Sequence, residues 1–200
     1  MIEALVACAV TLGLWLVLYW ALPPVPNIDR PIYQLFFAIK CVGVAVLLTF
    51  FLGLEAVSYE WLFSNASNPP LTGESLRMRI NRNYLRHTQE QLMLFILGLL
   101  GLSYYAVDGT AMRAVVATTI TWILSRYVFW IGSHKTPAFR TLGLISTMQS
   151  AVVLLYISSR FMYEYVGILG VLILLGIVAI AEVHLFDRAL AAHKSTSDVA

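Results

Sequence analysis

The sequence predicts an all-α integral membrane protein. Of its 200 residues, 60% are hydrophobic and only 12% are charged, and the mean hydropathy is +0.79. One soluble core of this size could not hide so much apolar surface. In addition, the apolar residues fall into runs of about 20, the length that a helix needs to cross a bilayer. The net charge of +2 is too small to indicate a nucleic-acid partner.

Six such runs are predicted as membrane spans. The first, from Ile2 to Leu22, ends at a proline-rich turn that cannot continue a helix. A polar connection from about Ser58 to Arg86 separates the second run from the third. Two cysteines lie inside apolar runs and are interpreted as small hydrophobic residues rather than as a disulfide. The predicted spans cover approximately 2–22, 31–54, 89–107, 111–131, 138–158 and 166–186.

The basic residues predict the orientation, because cytoplasmic loops retain Lys and Arg. With six spans, the second loop, the fourth loop and both termini share one side of the membrane. That side holds eight basic residues against three, so both termini are predicted to be cytoplasmic. The eight are Arg77, Arg79, Arg82, Arg86, Lys135, Arg140, Arg188 and Lys194, and the three are Arg30, Arg113 and Arg160.

Charged residues within or beside the spans are candidate functional residues, because burying a charge in a bilayer costs about 2–3 kcal/mol or more. Lys40 lies inside the second predicted span. Arg86 precedes Glu90 by one helical turn, so both lie on one helix face. This pair is either an ion pair at the membrane surface or part of a pocket for a ligand of mixed charge. Arg126 and Arg140 belong to adjacent antiparallel spans at the same membrane face.

Three stretches resemble the MAPEG family, the membrane-associated proteins in eicosanoid and glutathione metabolism, and especially its bacterial-type members. They are PLTGES at 70–75, NYLRHTQEQLMLF at 83–95 and SRYVFWIGSHKTPAFRTLG at 125–143. The resemblance covers about 31–160 and implies a four-helix core there, in a homotrimer with glutathione sites between subunits. Residues 1–30 and 161–200 would then each add one transmembrane helix, the second followed by a polar tail.

The resemblance also implies roles for particular residues, with glutathione as co-substrate. Arg140 would be catalytic, stabilising the glutathione thiolate. Glu90 would hold the amine of glutathione, and Arg82 or Arg86 one of its carboxylates. The implied binding set is Lys40, Arg82, Arg86, His87, Glu90 and Arg126, with no metal ligand.

Three positions depart from the family pattern. Asn83 and His87 stand where an arginine and an asparagine are expected, and Ser133 replaces a common tyrosine. Two function classes therefore stay open. One is a glutathione-dependent transferase or peroxidase that attacks lipophilic electrophiles or lipid peroxides with an activated thiolate. The other is a non-catalytic trimer that binds membrane lipid or a partner and carries a degenerate glutathione site.

Overall fold

The computed structural model describes residues 2–28, 30–63, 75–135, 143 and 148–197, except for the side chains of 2–4 and 189–197. Regular secondary structure in these ranges is helical, which confirms the all-α prediction. A π-helical turn, Leu47–Phe51, joins the second helix to the third without a break. The helices are α1 Ile2–Ala21, α2 Pro31–Val46, α3 Leu52–Phe63, α4 Leu76–Tyr105, α5 Arg113–Lys135, α6 Gln149–Val166 and α7 Ile168–Ser197.

Three helical stretches are long and apolar enough to cross a membrane. They are Pro31–Phe63, Arg113–Lys135 and Ile168–Arg188, and a shorter apolar helix covers Leu5–Ala21. Large apolar side chains are exposed along the first and third of these stretches, an arrangement that suits contact with lipid better than contact with water. The structure therefore supports a membrane protein. The six predicted spans and the orientation of the termini stay predictions.

Helix α4 begins much earlier than the sequence predicts. Its first residue is Leu76, so the segment Leu76–Arg86, predicted as part of the polar connection between two spans, is helical. Ser75 caps the helix, because its Oγ accepts a hydrogen bond from the backbone N–H of Met78 at 3.1 Å. Tyr84 and other residues spaced three or four positions apart are buried on one side of the segment. The cap and this helical period hold the polar run in a helix.

The chain divides into two compact units, Met1–Leu154 and Leu155–Ala200. In the first unit, α1 packs on α5, and the indole Nε1 of Trp15 donates to Thr118 Oγ1 at 3.0 Å. The core of this unit lies among α2, α4 and α5, where the rings of Phe95 and Trp122 stack with centroids 4.3 Å apart. The first helix is thus packed into the same unit as the helices of the predicted core.

The second unit contains the remainder of α6 and all of α7. The two helices are separated by Gly167, which has a φ of +75°. Glycine adopts this left-handed conformation without a steric penalty. Its amide N–H still donates to the carbonyl of Tyr163 at 3.0 Å, as expected at the end of a helix. The predicted boundaries at residues 30 and 160 stay predictions.

Candidate functional site

Arg126, on α5, is the centre of the candidate site. Its side chain is fully buried, with 0% exposure. Within the described residues, its Nε, Nη1 and Nη2 atoms have no hydrogen-bond partner. The guanidinium lies over the ring of Phe129, 5.3 Å from the centroid, and such a cation–π contact contributes about 0.5–2 kcal/mol. Since that contact uses none of the N–H groups, Arg126 keeps the hydrogen-bonding capacity to hold an anion.

An aromatic cluster of Tyr84, Phe129 and Trp130 adjoins Arg126 through the ring of Phe129. The Tyr84 ring stacks on Trp130 with centroids 4.8 Å apart and on Phe129 at 6.3 Å. Burial raises the pKa of Tyr84 to about 12, although the neighbouring Thr88 hydroxyl and the positive charge of Arg126 act in the opposite direction. The Tyr84 phenol is therefore neutral at physiological pH.

Two tyrosines attach the cluster to the π-helical turn. Tyr84 Oη donates to the carbonyl of Thr49 at 3.2 Å, and Tyr127 Oη donates to the carbonyl of Leu48 at 2.6 Å. A π-helical turn disrupts the regular α-helical pairing of backbone groups, and these two hydroxyls supply donors to its carbonyls. Gly53 leaves the space that Tyr84 needs, because a Cβ at Gly53 would lie 2.7 Å from Tyr84 Cε1. The turn, α4 and α5 are thereby fixed to one another.

Asn81 extends the site by one turn of α4. This buried side chain accepts a hydrogen bond at its Oδ1 from Trp130 Nε1 at 3.0 Å. The same oxygen lies 3.2 Å from His134 Nε2 and accepts from it when that nitrogen carries the proton. Asn81, Tyr84 and Phe129 are not among the site residues that the sequence predicts. For Asn81 and Tyr84 the sequence does contain a signal, because a spacing of three residues places both side chains on one face of a helix.

Of the predicted site residues, His87 and Glu90 contact each other. His87 Nδ1 lies 3.2 Å from Glu90 Oε2, and the His87 ring packs edge-on against Phe129 with centroids 5.7 Å apart. The pair thus adjoins the ring that also contacts the buried guanidinium. The predicted partner of Glu90 makes a different contact, since Arg86 Nη2 donates to Asn83 Oδ1 at 2.9 Å.

The remaining predicted site residues are Arg82, Arg140 and Lys40. Arg82 is exposed on α4, and Arg140 lies outside the described residues. Lys40 is exposed on α2, where it lines a pocket together with residues of the α1–α2 loop. Ser133, one of the departures from the family pattern, donates to the carbonyl of Phe129 at 2.8 Å. A single pocket that unites the predicted set therefore stays a prediction.

Metal binding is not indicated in the described part of the chain, where no three His, Cys, Asp or Glu side chains form a group that could hold an ion. Comparison of the chain with protein-family models, with curated proteins and with solved structures found no match.

Proposed function

We propose that the chain is a membrane-embedded MAPEG-type enzyme, a glutathione-dependent transferase or peroxidase that acts on lipophilic electrophiles or lipid peroxides. The observation that carries this proposal is the buried guanidinium of Arg126, which has no hydrogen-bond partner within the described residues. A buried, unpaired charge costs several kcal/mol. A carboxylate that accepts two parallel hydrogen bonds from the guanidinium would offset that cost.

Glutathione has the complementary groups, since it carries two carboxylates, an amine and a thiol. Arg126 would hold one carboxylate, while Glu90, which is exposed and next to His87, would hold the amine. Arg140 would stabilise the thiolate, as the family resemblance implies. Since Arg126 is enclosed in the single chain, a ligand reaches it only when side chains around it move. The association rate constant is thus expected to lie well below the diffusion limit.

Calorimetry with millimolar glutathione on the purified full-length chain in detergent tests the binding. The expected result is a saturable heat and conjugation of a generic aryl halide. Arg126→Met should remove the heat, whereas Arg188→Met, which changes an exposed arginine on α7, should keep it. Arg140→Ala should lower the conjugation rate more than the affinity. A native chain that gives neither heat nor conjugation would refute the proposal.

A second candidate function is a non-catalytic trimer that binds lipid or a protein partner. Two observations favour it, namely the contact of Glu90 with His87 and the enclosure of Arg126. This function predicts that chemical cross-linking captures a trimer and that glutathione gives no heat of binding.

For either function, we propose six membrane spans with both termini in the cytoplasm. The test uses intact cells that express a chain lacking Cys8 and Cys41 and carrying one new cysteine near Ala200. This cysteine should react with a membrane-impermeant thiol reagent only after the cells are permeabilised.

A further inference from the structure

A pocket of about 540 Å³ opens beside the start of α2. One wall is a stripe on α2 formed by Tyr33, Phe36, Phe37 and Lys40, which are spaced three or four residues apart and so share a helix face. The other wall is the loop 25–28. The volume falls within the range of about 300–1,000 Å³ that is typical of small-molecule sites.

The loop that forms the second wall is fixed in place. The amide N–H of Val25 donates to the carbonyl of Gly109, in the turn between α4 and α5, at 3.0 Å. Asn27 has a φ of 58°, a left-handed conformation that asparagine tolerates better than most residues. Ile28 is only 7% exposed and belongs to the hydrophobic core. Because both ends of the loop are held, the pocket is pre-formed rather than dependent on a ligand for its shape.

Among the described residues, Lys40 is the only charged one that lines this pocket. It lies within the helical stretch Pro31–Phe63, which is apolar enough to span a membrane. Two ion pairs of the described residues join Arg77 to Glu60 and His87 to Glu90. Neither involves Lys40, and no described carboxylate lines the pocket. A lysine in such a segment is costly without a partner, and it is therefore a candidate ligand-binding residue.

We propose that the pocket binds a fatty acid, with its carboxylate on Lys40 and its acyl chain against Phe36, Phe37 and the loop. A single cation matches a single negative charge. The remaining polar residues of the lining are Asn27 and Tyr33, too few donors for the larger headgroup of a phospholipid. The acyl chain would cover aromatic surface, since Phe36 is 53% exposed. This site does not depend on the glutathione chemistry proposed above.

Binding of radiolabelled palmitate to the full chain in nanodiscs of neutral lipid tests the proposal. The expected result is one saturable site that Lys40→Met weakens about ten-fold or more, because a charge-assisted hydrogen bond is lost. Lys40→Arg should retain most of the affinity. Lys135→Met is the matched control, since Lys135 is an exposed lysine at the end of α5, and it should leave binding unchanged. A photoactivatable palmitate should label the segment 25–40.

Two further measurements use the native chain alone and so do not depend on the folding of a variant. Methyl palmitate, which lacks the charge, should bind at least about ten-fold more weakly than palmitate. Equal binding of the two would overturn the proposal, as would photolabel spread evenly over all the apolar helices. Phosphatidylglycerol that displaces palmitate at equal concentration would also overturn it, because the occupant would then be a phospholipid.

Discussion

Replacement of Arg126 by methionine is expected to stabilise the ligand-free protein while it removes the proposed glutathione binding. Methionine fills a similar length of the buried space, and replacing buried ion pairs by apolar side chains of similar volume is often stabilising by about 1–4 kcal/mol, a range that we take for this single charge. The lost cation–π contact with Phe129 subtracts about 0.5–2 kcal/mol. The midpoints of these two ranges leave an expected gain of about 1 kcal/mol, which corresponds to about 2–4 °C in Tm for a chain of this size.

Thermal unfolding in detergent, followed by circular dichroism, measures this gain. Arg188→Met is the control and should change the free energy of unfolding by less than about 0.5 kcal/mol, because the side chain is exposed. A loss of about 3–5 kcal/mol in Arg126→Met would refute the reasoning, since that is the cost of breaking a buried ion pair. It would mean that Arg126 is already paired in the ligand-free protein and has no capacity left for an anion.

Three further predictions concern the contacts around Tyr84. Gly53→Ala should lower the free energy of unfolding by about 1–3 kcal/mol, because its Cβ would lie 2.7 Å from Tyr84 Cε1. Gly43→Ala, in the same continuous helix but with no neighbour within 4 Å of the added Cβ, should instead gain up to about 1 kcal/mol in the same thermal assay. Since the folded-state pKa of Tyr84 is raised to about 12, its contribution to stability is complete below pH 10 and is lost as the pH rises through 12. Absorbance at 295 nm should show a late-titrating phenol that Tyr84→Phe removes, and its persistence would contradict the assignment. Tyr127→Phe should cost about 0.5–1.5 kcal/mol and speed amide hydrogen exchange near Leu48, where its hydroxyl donates; unchanged exchange would show that this bond does not hold the π-helical turn.

The helical character of the chain and the position of its long helices could be predicted from composition and from residues that begin or end helices. Apolar runs identify the long helices, and Pro31 both begins α2 and fits its first turn, where a missing N–H is no loss. The π-helical turn could not be predicted, because nothing in Leu47–Phe51 is unusual for an α-helix. Two of its carbonyls accept hydrogen bonds from Tyr84 and Tyr127, which lie 35 and 79 residues further along the chain. A local reading of the sequence has no access to contacts of that kind.

The candidate site was predictable only in part for the same reason. Arg126 attracts attention because a charge inside an apolar run is costly, so the residue could be found from sequence. Its neighbours could not, because the packing of α4 on α5 decides that Tyr84 meets Phe129 and that Asn81 meets Trp130. Hydropathy also treats Asn81 as a surface residue, although its hydrogen bonds allow it to be buried.

The polar run that opens α4 has two sides with different functions. On the inner side, Asn81 and Tyr84 supply the hydrogen bonds that join α4 to α5 and to the π-helical turn. On the outer side, the two residues that depart from the family pattern each contact a charged neighbour, as Asn83 contacts Arg86 and His87 contacts Glu90. Both neighbours are groups that glutathione would need. Under the proposed function, glutathione would have to compete with these two contacts, while the hydrogen bonds of Asn81 and Tyr84 would be unaffected. We therefore expect the two departures to lower the affinity for glutathione without lowering the stability of the helix.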